Sequence, residues 1–397
     1  MRWVGHRYWI SVVFFLVAGA PGFWTPALSN VLRGHGFGEL VPILFIVPCL
    51  SVMISPLIFA AQVDQKYEAQ KVLGGIMILA AVFLSLAFLA IEEGWGAAWV
   101  VTFFVIYTLI SSPSWSLMTV ITLSSVEQPE RQFGGFRVWG TLGWMTAGGL
   151  VSWWGLDDSA LTGQLGAATR VLAGGCAFLL PVTLPHGERA RSWRESLGLG
   201  ALVLLRDRDQ RVFFLAVFLF SVPLSAFYMH TPVHLKELGV QETSGLMAGA
   251  QLVEAVAMLG MGWVISRVRA KSVLLLAVGC GVLRYFLCGM DAVEWLTVGI
   301  LLHGVCWTFF HEAGRIFVNR RVEVGLRSQA QALLGLFSSG LAGLAGVLVS
   351  TYLFRNLVLE AGEGWWSGWS GYWLVLSAIS GLSFLLLALG YRPPESA

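Results

Sequence analysis

Stretches of about 20 apolar residues, the length an α-helix needs to cross a ~30 Å hydrocarbon core, recur along the whole chain. They fall near 8–32, 40–61, 71–91, 97–121, 133–155, 165–184, 211–235, 243–266, 271–290, 295–318, 329–354 and 371–391. In lipid every backbone polar group must be bonded within its own segment, so runs this long and uniformly apolar predict helices and exclude barrel strands. The expected fold class is an all-α integral membrane protein with twelve transmembrane helices.

Composition agrees. Of 397 residues 56% are hydrophobic and 12% charged, about half the charged share of a soluble domain, which excludes a water-soluble enzyme or a disordered chain. The net charge of +2 is too balanced for a nucleic-acid partner. Cys49, Cys176, Cys280, Cys288 and Cys306 all sit in apolar runs without metal-ligand spacing, and read as small buried hydrophobes. Arg2, Arg7 and an apolar run ending at Ala18-Gly19-Ala20 imitate a signal peptide. Pro21 opposes cleavage there and the run continues to Leu32, so a retained helix is expected.

The longest polar break, Pro185 to Gln210, carries Arg189, Arg191, Arg194, Arg206 and Arg208 and a short amphipathic stretch, Leu197 to Leu205. It divides the chain into an N-terminal six-helix bundle (1–184), a cytoplasmic linker (185–210) and a C-terminal six-helix bundle (211–397). The halves echo each other: Asp64-Gln65-Lys66 and Gln70-Lys71-Val72-Leu73 follow the second span, and Ser266-Arg267 and Ala270-Lys271-Ser272-Val273-Leu274 follow the eighth. Two repeated six-helix halves are the architecture of a major-facilitator transporter. With both termini cytoplasmic, eighteen Lys and Arg lie on that side against Arg33, Lys236 and Arg355 outside, as the positive-inside rule requires. Arg137, Arg170, Arg284 and Arg315 fall within spans. Trp95, Trp99, Trp153, Trp154, Trp295, Trp365, Trp366, Trp369 and Trp373 cluster at the outer ends and read as an interfacial belt.

Glu254 is the most informative residue. Eleven residues beyond Thr243 place it about 16 Å deep, at the bilayer midplane. A carboxylate there must face a cavity or a partner, and desolvation moves its ionisation toward the range a proton carrier needs. Gln251 shares its face. The alternative is a structural carboxylate paired with a neighbouring helix. On the fifth span Arg137, Thr141 and Trp144 form one stripe, suited to a polyhydroxylated ligand with a flat ring. Gly140 and Gly143 favour the alternative, a helix-packing stripe. His303 and Trp307 are one turn apart on the tenth span; Glu312 and Arg315 follow, an intrahelical pair or inner gate. Tyr228, His230 and Thr231 lie in the outer half of the seventh span beyond Pro223, where a kink is expected. No phosphate-cradling Gly-Lys-Ser/Thr loop is present, which argues against an ATP-driven pump.

Phe136-Arg137-Val138-Trp139-Gly140-Thr141-Leu142-Gly143-Trp144, Gln251-x-x-Glu254, Leu205-Arg206-Asp207, Gln70-Lys71-Val72-Leu73, Leu302-His303-Gly304-Val305 and Ala330-Gln331 together resemble the bacterial nucleoside:proton symporters of the major facilitator superfamily. The resemblance runs through nearly the whole chain. It implies nucleoside contacts at Arg137, Thr141, Trp144, Gln251, Glu254 and Trp307. Two departures stand out: Thr308 where members commonly place an Asp, and Ser225 and Tyr228 where the better-known members carry a polar pair.

The expected function is proton-coupled nucleoside uptake by alternating access, with substrate contacts at Arg137, Thr141, Trp144, Tyr228, Gln251, Glu254, His303 and Trp307, and proton coupling at Glu254. No catalytic residue, metal or cofactor is expected, and the partners are a nucleoside, a proton and the lipid bilayer. A monomer in the bacterial cytoplasmic (inner) membrane is expected. The alternatives are a permease for another polar solute such as a sugar, an exporter, and a polytopic membrane enzyme. An enzyme is disfavoured because several His, Asp or Glu would gather at one depth. Drug export is disfavoured because Thr146-Ala147-Gly148-Gly149-Leu150 lacks the Gly-Pro common in exporters.

Overall fold

The computed structural model describes residues 2–63, 67–126, 129–183, 199–323, 326–362, 364 and 367–392. The linker to residue 198, the Asp64-Gln65-Lys66 element of the repeat, and Trp365 and Trp366 lie outside them. By their contacts the residues group into two units: Met1–Ser192 with Gln241–Gln251, and Trp193–Val240 with Leu252–Ala397.

The first unit holds α1 (Tyr8–Gly34), α2 (Val41–Val63), α3 (Ala69–Glu92), α4 (Ala97–Ser125), α5 (Pro129–Trp153) and α6 (Leu161–Ala177). The second holds α7 (Arg208–Glu237), α9 (Ala270–Cys288), α10 (Val293–Arg320), α11 (Gln329–Leu359) and α12 (Gly368–Gly390), while α8 (Thr243–Arg267) contributes to both. Ten of these helices are long and apolar enough to cross a membrane, where the sequence predicts twelve. The other two are helices as well: α5, with 25 residues, is diluted by Arg137 and its Gly, Thr and Trp content, and α6 has only 17. Within the linker Leu199–Arg206 forms a 3-10 helix, and α7 begins at Arg208, before the linker's expected end.

Proline explains where spans break. α4 is interrupted between Ser111 and Ser114 at Pro113, and α7 between Ser221 and Leu224 at Pro223, because proline cannot donate the ladder hydrogen bond. α10 and α11 contain π turns at Trp307–Glu312, Leu336–Leu341 and Phe354–Leu359.

Helices in lipid associate through close packing rather than through a hydrophobic driving force. In the first unit α1 and α5 meet where a Cβ on Gly143 would lie 2.0 Å from the Phe15 carbonyl oxygen. Only glycine permits that approach. Around this contact pack Ile10, Val13, Phe14, Met77, Met118 and Phe136. The intramembrane Arg170 of α6 is tied down by its neighbours: Nη2 donates to the Tyr107 hydroxyl at 2.7 Å and Nη1 to the Met77 sulfur at 3.3 Å. The second unit has its own apolar core, including Phe213, Phe214, Phe220, Phe310 and Phe317.

Candidate functional site

Successive residues of an α-helix turn by about 100°, so Arg137, Thr141 and Trp144 share one face of α5 while Gly140, Gly143 and Ala147 lie roughly a quarter turn away. The glycine face is the one that meets α1 and α4: besides the Gly143 contact, a Cβ on Gly140 would lie 3.2 Å from the Trp115 ring and 3.4 Å from Ala18. Packing therefore uses the face beside the polar stripe. On that stripe Thr141 is buried, Arg137 and Trp144 are half-buried, and the Arg137 guanidinium lies 4.3 Å over the Trp115 ring.

α8 has two contrasting faces. Leu252, Val256, Leu259 and Trp263 are 55%, 64%, 79% and 62% exposed, a stripe fit for lipid, whereas Gln251 and Glu254 are buried at 6% and 4%. A polar interior with an apolar exterior is the arrangement a membrane solvent selects. The start of α8 is anchored within the first unit. Asp157, itself buried, accepts from the Ser244 backbone N–H at 2.6 Å and from the Thr243 hydroxyl at 3.1 Å through Oδ1, and from the Ser152 hydroxyl at 2.9 Å through Oδ2. Ser152 in turn accepts from the Gly245 N–H, and Asn30 donates to Thr243.

In the second unit the predicted residues of α7 and α10 come together. His303 is buried and stacks on Phe227 at 4.5 Å; Tyr228 approaches its edge at 6.3 Å, and Trp307 lies one turn on at 6.0 Å. Trp307 continues the column to His311 at 4.6 Å. Glu254 lies within electrostatic reach of the Tyr228 hydroxyl. Thr308 is fully buried and donates to the Glu254 backbone carbonyl at 3.4 Å, so it links α10 to α8 as a neutral group.

One residue at this cluster escaped assignment. Arg284 of α9 is 2% exposed, and its Nη1 donates to His303 Nδ1 at 2.9 Å. A guanidinium offers no acceptor and keeps its proton. Nδ1 must therefore accept, which leaves His303 neutral with its proton on Nε2. Arg284 was visible as one of four arginines inside spans, and the default for such residues is function; its partner, 19 residues away, was not.

Glu312 is half-buried and Arg315 exposed; Gln331 of α11 donates to the Arg315 carbonyl at 2.9 Å and to Asn319. Trp95, Trp99, Trp153, Trp154 and Trp295 are exposed, consistent with an interfacial position. Trp369 and Trp373 correct the belt reading, being only 6% and 0% exposed. They pack into a second histidine cluster, in which Trp373 Nε1 donates to His234 Nδ1 at 3.0 Å, Trp369 stacks on His234 at 4.4 Å and donates to Glu237, and His234 Nε2 donates to Asp291 at 2.7 Å. Asp291 adopts φ 53°, a left-handed conformation that Asp tolerates. His230 completes the cluster with Ser350 and Tyr372.

Residues 6–396 match the family described as nucleoside H+ symporter. The chain is 30% identical to YegT of Escherichia coli (strain K12) over 98% of its own length and 94% of that protein's. It is 23% identical to the xanthosine permease of the same organism over 93% and 94% of the two chains. Among solved structures, the nucleoside transporter NupG superposes with a TM-score of 0.80 at 20% identity, covering 98% of this chain and 99% of that one.

Proposed function

This chain belongs to the nucleoside H+ symporter family, an all-helical membrane transporter whose activity is proton-coupled nucleoside uptake, and we propose that Glu254 is the residue at which the two cargoes are coupled. The carrying observation is a carboxylate buried on the polar face of α8, opposite its exposed apolar stripe. A protonated Glu254 is neutral, so the loaded carrier reorients without an added negative charge in low dielectric; release of the proton inside, where pH is higher, couples solute entry to the gradient.

Nucleoside contacts are assigned to Arg137, Thr141, Trp144, Gln251, Tyr228, Glu254, His303 and Trp307. Aromatic rings suit the faces of a base, and the amide, hydroxyl and guanidinium groups suit its edges and the ribose. The neutral His303 supports a hydrogen-bonding rather than a proton-carrying part for that ring. Glu312 and Arg315 are assigned to the inner gate. With α5 and α6 counted as spans, the chain has twelve transmembrane helices in two six-helix bundles joined by the 185–210 linker. It sits as a monomer in the inner membrane with both termini cytoplasmic, an orientation supported by the distribution of Lys and Arg.

The test is uptake of labelled uridine, adenosine and xanthosine into proteoliposomes, with and without an inward proton gradient. Accumulation of at least one nucleoside only when the gradient is imposed supports the assignment; accumulation of none, or equal uptake in both conditions, refutes it.

A further inference from the structure

Arg284 presents an energetic problem that the binding assignment leaves open. It is a permanent cation with 2% exposure, inside a span, and only one of its three nitrogens has a hydrogen-bond partner: Nη1 on His303, with Nε and Nη2 both buried and unpartnered. Its guanidinium lies over the Phe227 ring at 4.3 Å and over the Tyr285 ring at 4.7 Å. Ring faces attract a cation and hold it in place, but they carry no net charge to cancel it. An unbalanced buried charge is among the most destabilising features a protein can hold, and a guanidinium cannot escape by losing its proton.

The groups sharing its electrostatic surroundings are Tyr228 of α7, Tyr285 and Cys288 of α9, and His303 and Cys306 of α10, with His311 beyond His303. His303 is held neutral by the Arg284 bond itself. Glu254 of α8 enters the same neighbourhood through α10: its backbone carbonyl accepts from Thr308 at 3.4 Å, one residue beyond the Trp307 that packs on His303, and the Tyr228 hydroxyl lies within electrostatic reach of both Glu254 and Arg284. Among these described groups it is the one carboxylate.

We propose that Arg284 is a positioning residue for coupling, the fixed counter-charge of Glu254 in the unloaded carrier. With Glu254 ionised, the pair sums to zero and the empty carrier can return through low dielectric. With Glu254 protonated, the site carries one net positive charge, which the acceptor groups of a bound nucleoside solvate at the unpartnered Nε and Nη2 donors without cancelling it. The cation thus favours proton release when solute is absent and makes the two cargoes enter together. Position 308 of α10 is Thr, so no second carboxylate stands there to compete for Arg284.

This rests on the assignment of the proton to Glu254, and the experiment separates the two. Arg284→Gln, Arg284→Lys, Glu254→Gln and the Glu254→Gln/Arg284→Gln double variant are reconstituted and assayed for gradient-driven uptake, for exchange of labelled against unlabelled nucleoside, and for the pH dependence of exchange. Without its cation Glu254 keeps its proton to higher pH, so the alkaline limb of exchange in Arg284→Gln moves up by about one pH unit or more, the size of shift a nearby opposite charge produces. Net uptake falls by about tenfold, the factor one such unit represents, and exchange falls far less. Arg284→Lys restores uptake in part, and the double variant shows no alkaline limb. If Arg284→Gln leaves the alkaline limb in place, or depresses exchange and uptake equally, Arg284 is only structural and the inference fails, even where Glu254→Gln behaves as a coupling mutant. If Arg284→Gln does not fold, the double variant decides: charge balance requires it to recover folded protein, and a double variant that fails to fold as well overturns the proposal. Gradient-driven accumulation by Glu254→Gln overturns the underlying assignment instead.

Discussion

The Asp157 carboxylate accepts from the Ser244 backbone N–H at 2.6 Å, capping the first turn of α8 from a loop 87 residues earlier in the chain. A helix N-terminus has unsatisfied N–H groups and a positive dipole end, so a buried carboxylate here satisfies both. Asp157→Ala should lower stability by about 1–2 kcal/mol, and Asp157→Asn, which keeps an acceptor but loses the charge, by less. Thermal unfolding in detergent checks this; equal melting temperatures for wild type and Asp157→Ala would refute the cap.

The α1–α5 crossing depends on the absence of one methyl group. With a Cβ only 2.0 Å from the Phe15 carbonyl oxygen, Gly143→Ala must push the helices apart and should cost about 1–3 kcal/mol, the usual range for overpacking. Gly149 has open space around it, so Gly149→Ala is the matched control. Similar expression and melting of the two variants would show that the crossing tolerates the added group.

Topology is checked by labelling. In an otherwise cysteine-free chain, a cysteine at the exposed Glu242 should react with a membrane-impermeant maleimide from outside intact cells, and one at the exposed Arg269 only after permeabilisation. The reverse pattern would invert the assigned orientation.

Gln251 is buried beside Glu254 on the polar face of α8. Gln251→Ala should weaken nucleoside binding by about 1–3 kcal/mol, because a buried group on the ligand loses its partner. Calorimetric titration on purified protein measures it, and wild-type affinity would return Gln251 to a packing role.

Glu254→Gln keeps the shape and hydrogen-bonding capacity of the side chain while removing its titration. It should abolish accumulation driven by a pH gradient while leaving measurable exchange. A variant that still concentrates nucleoside would place the proton elsewhere. The bond from Arg284 makes His303 a poor substitute, since protonation at Nδ1 would break it.

Hydropathy made the spans legible because lipid imposes one rule on every segment, and helical spacing found the Arg137–Thr141–Trp144 stripe and the Gln251–Glu254 pair because both are local. The glycines beside that stripe were legible too, although only the structure separates their face from it. What spacing could not give were pairings between helices. Arg284 with His303, Asp157 with Ser244, and Trp373 with His234 join residues 19, 87 and 139 positions apart. Trp369 and Trp373 were misread for the same reason: a tryptophan near an outer end suits a belt, and only its histidine neighbours reveal that it is buried.

The π turn at Trp307–Glu312 has a bearing on how α10 is ruled. On an ideal α-helix His303, Trp307 and His311 form an i, i+4, i+8 row in which each residue steps about 40° around from the one before. A π turn accommodates one extra residue, taking up roughly 100° of rotation. The centroid spacings of 6.0 Å and 4.6 Å show each ring packing on the next into the π turn. Everything after Glu312 is consequently offset by one position from a wheel drawn through the part of α10 before Trp307. A deletion of one residue within 307–312 would leave the composition of α10 almost untouched while turning Arg315 and Asn319 to a different side of the helix.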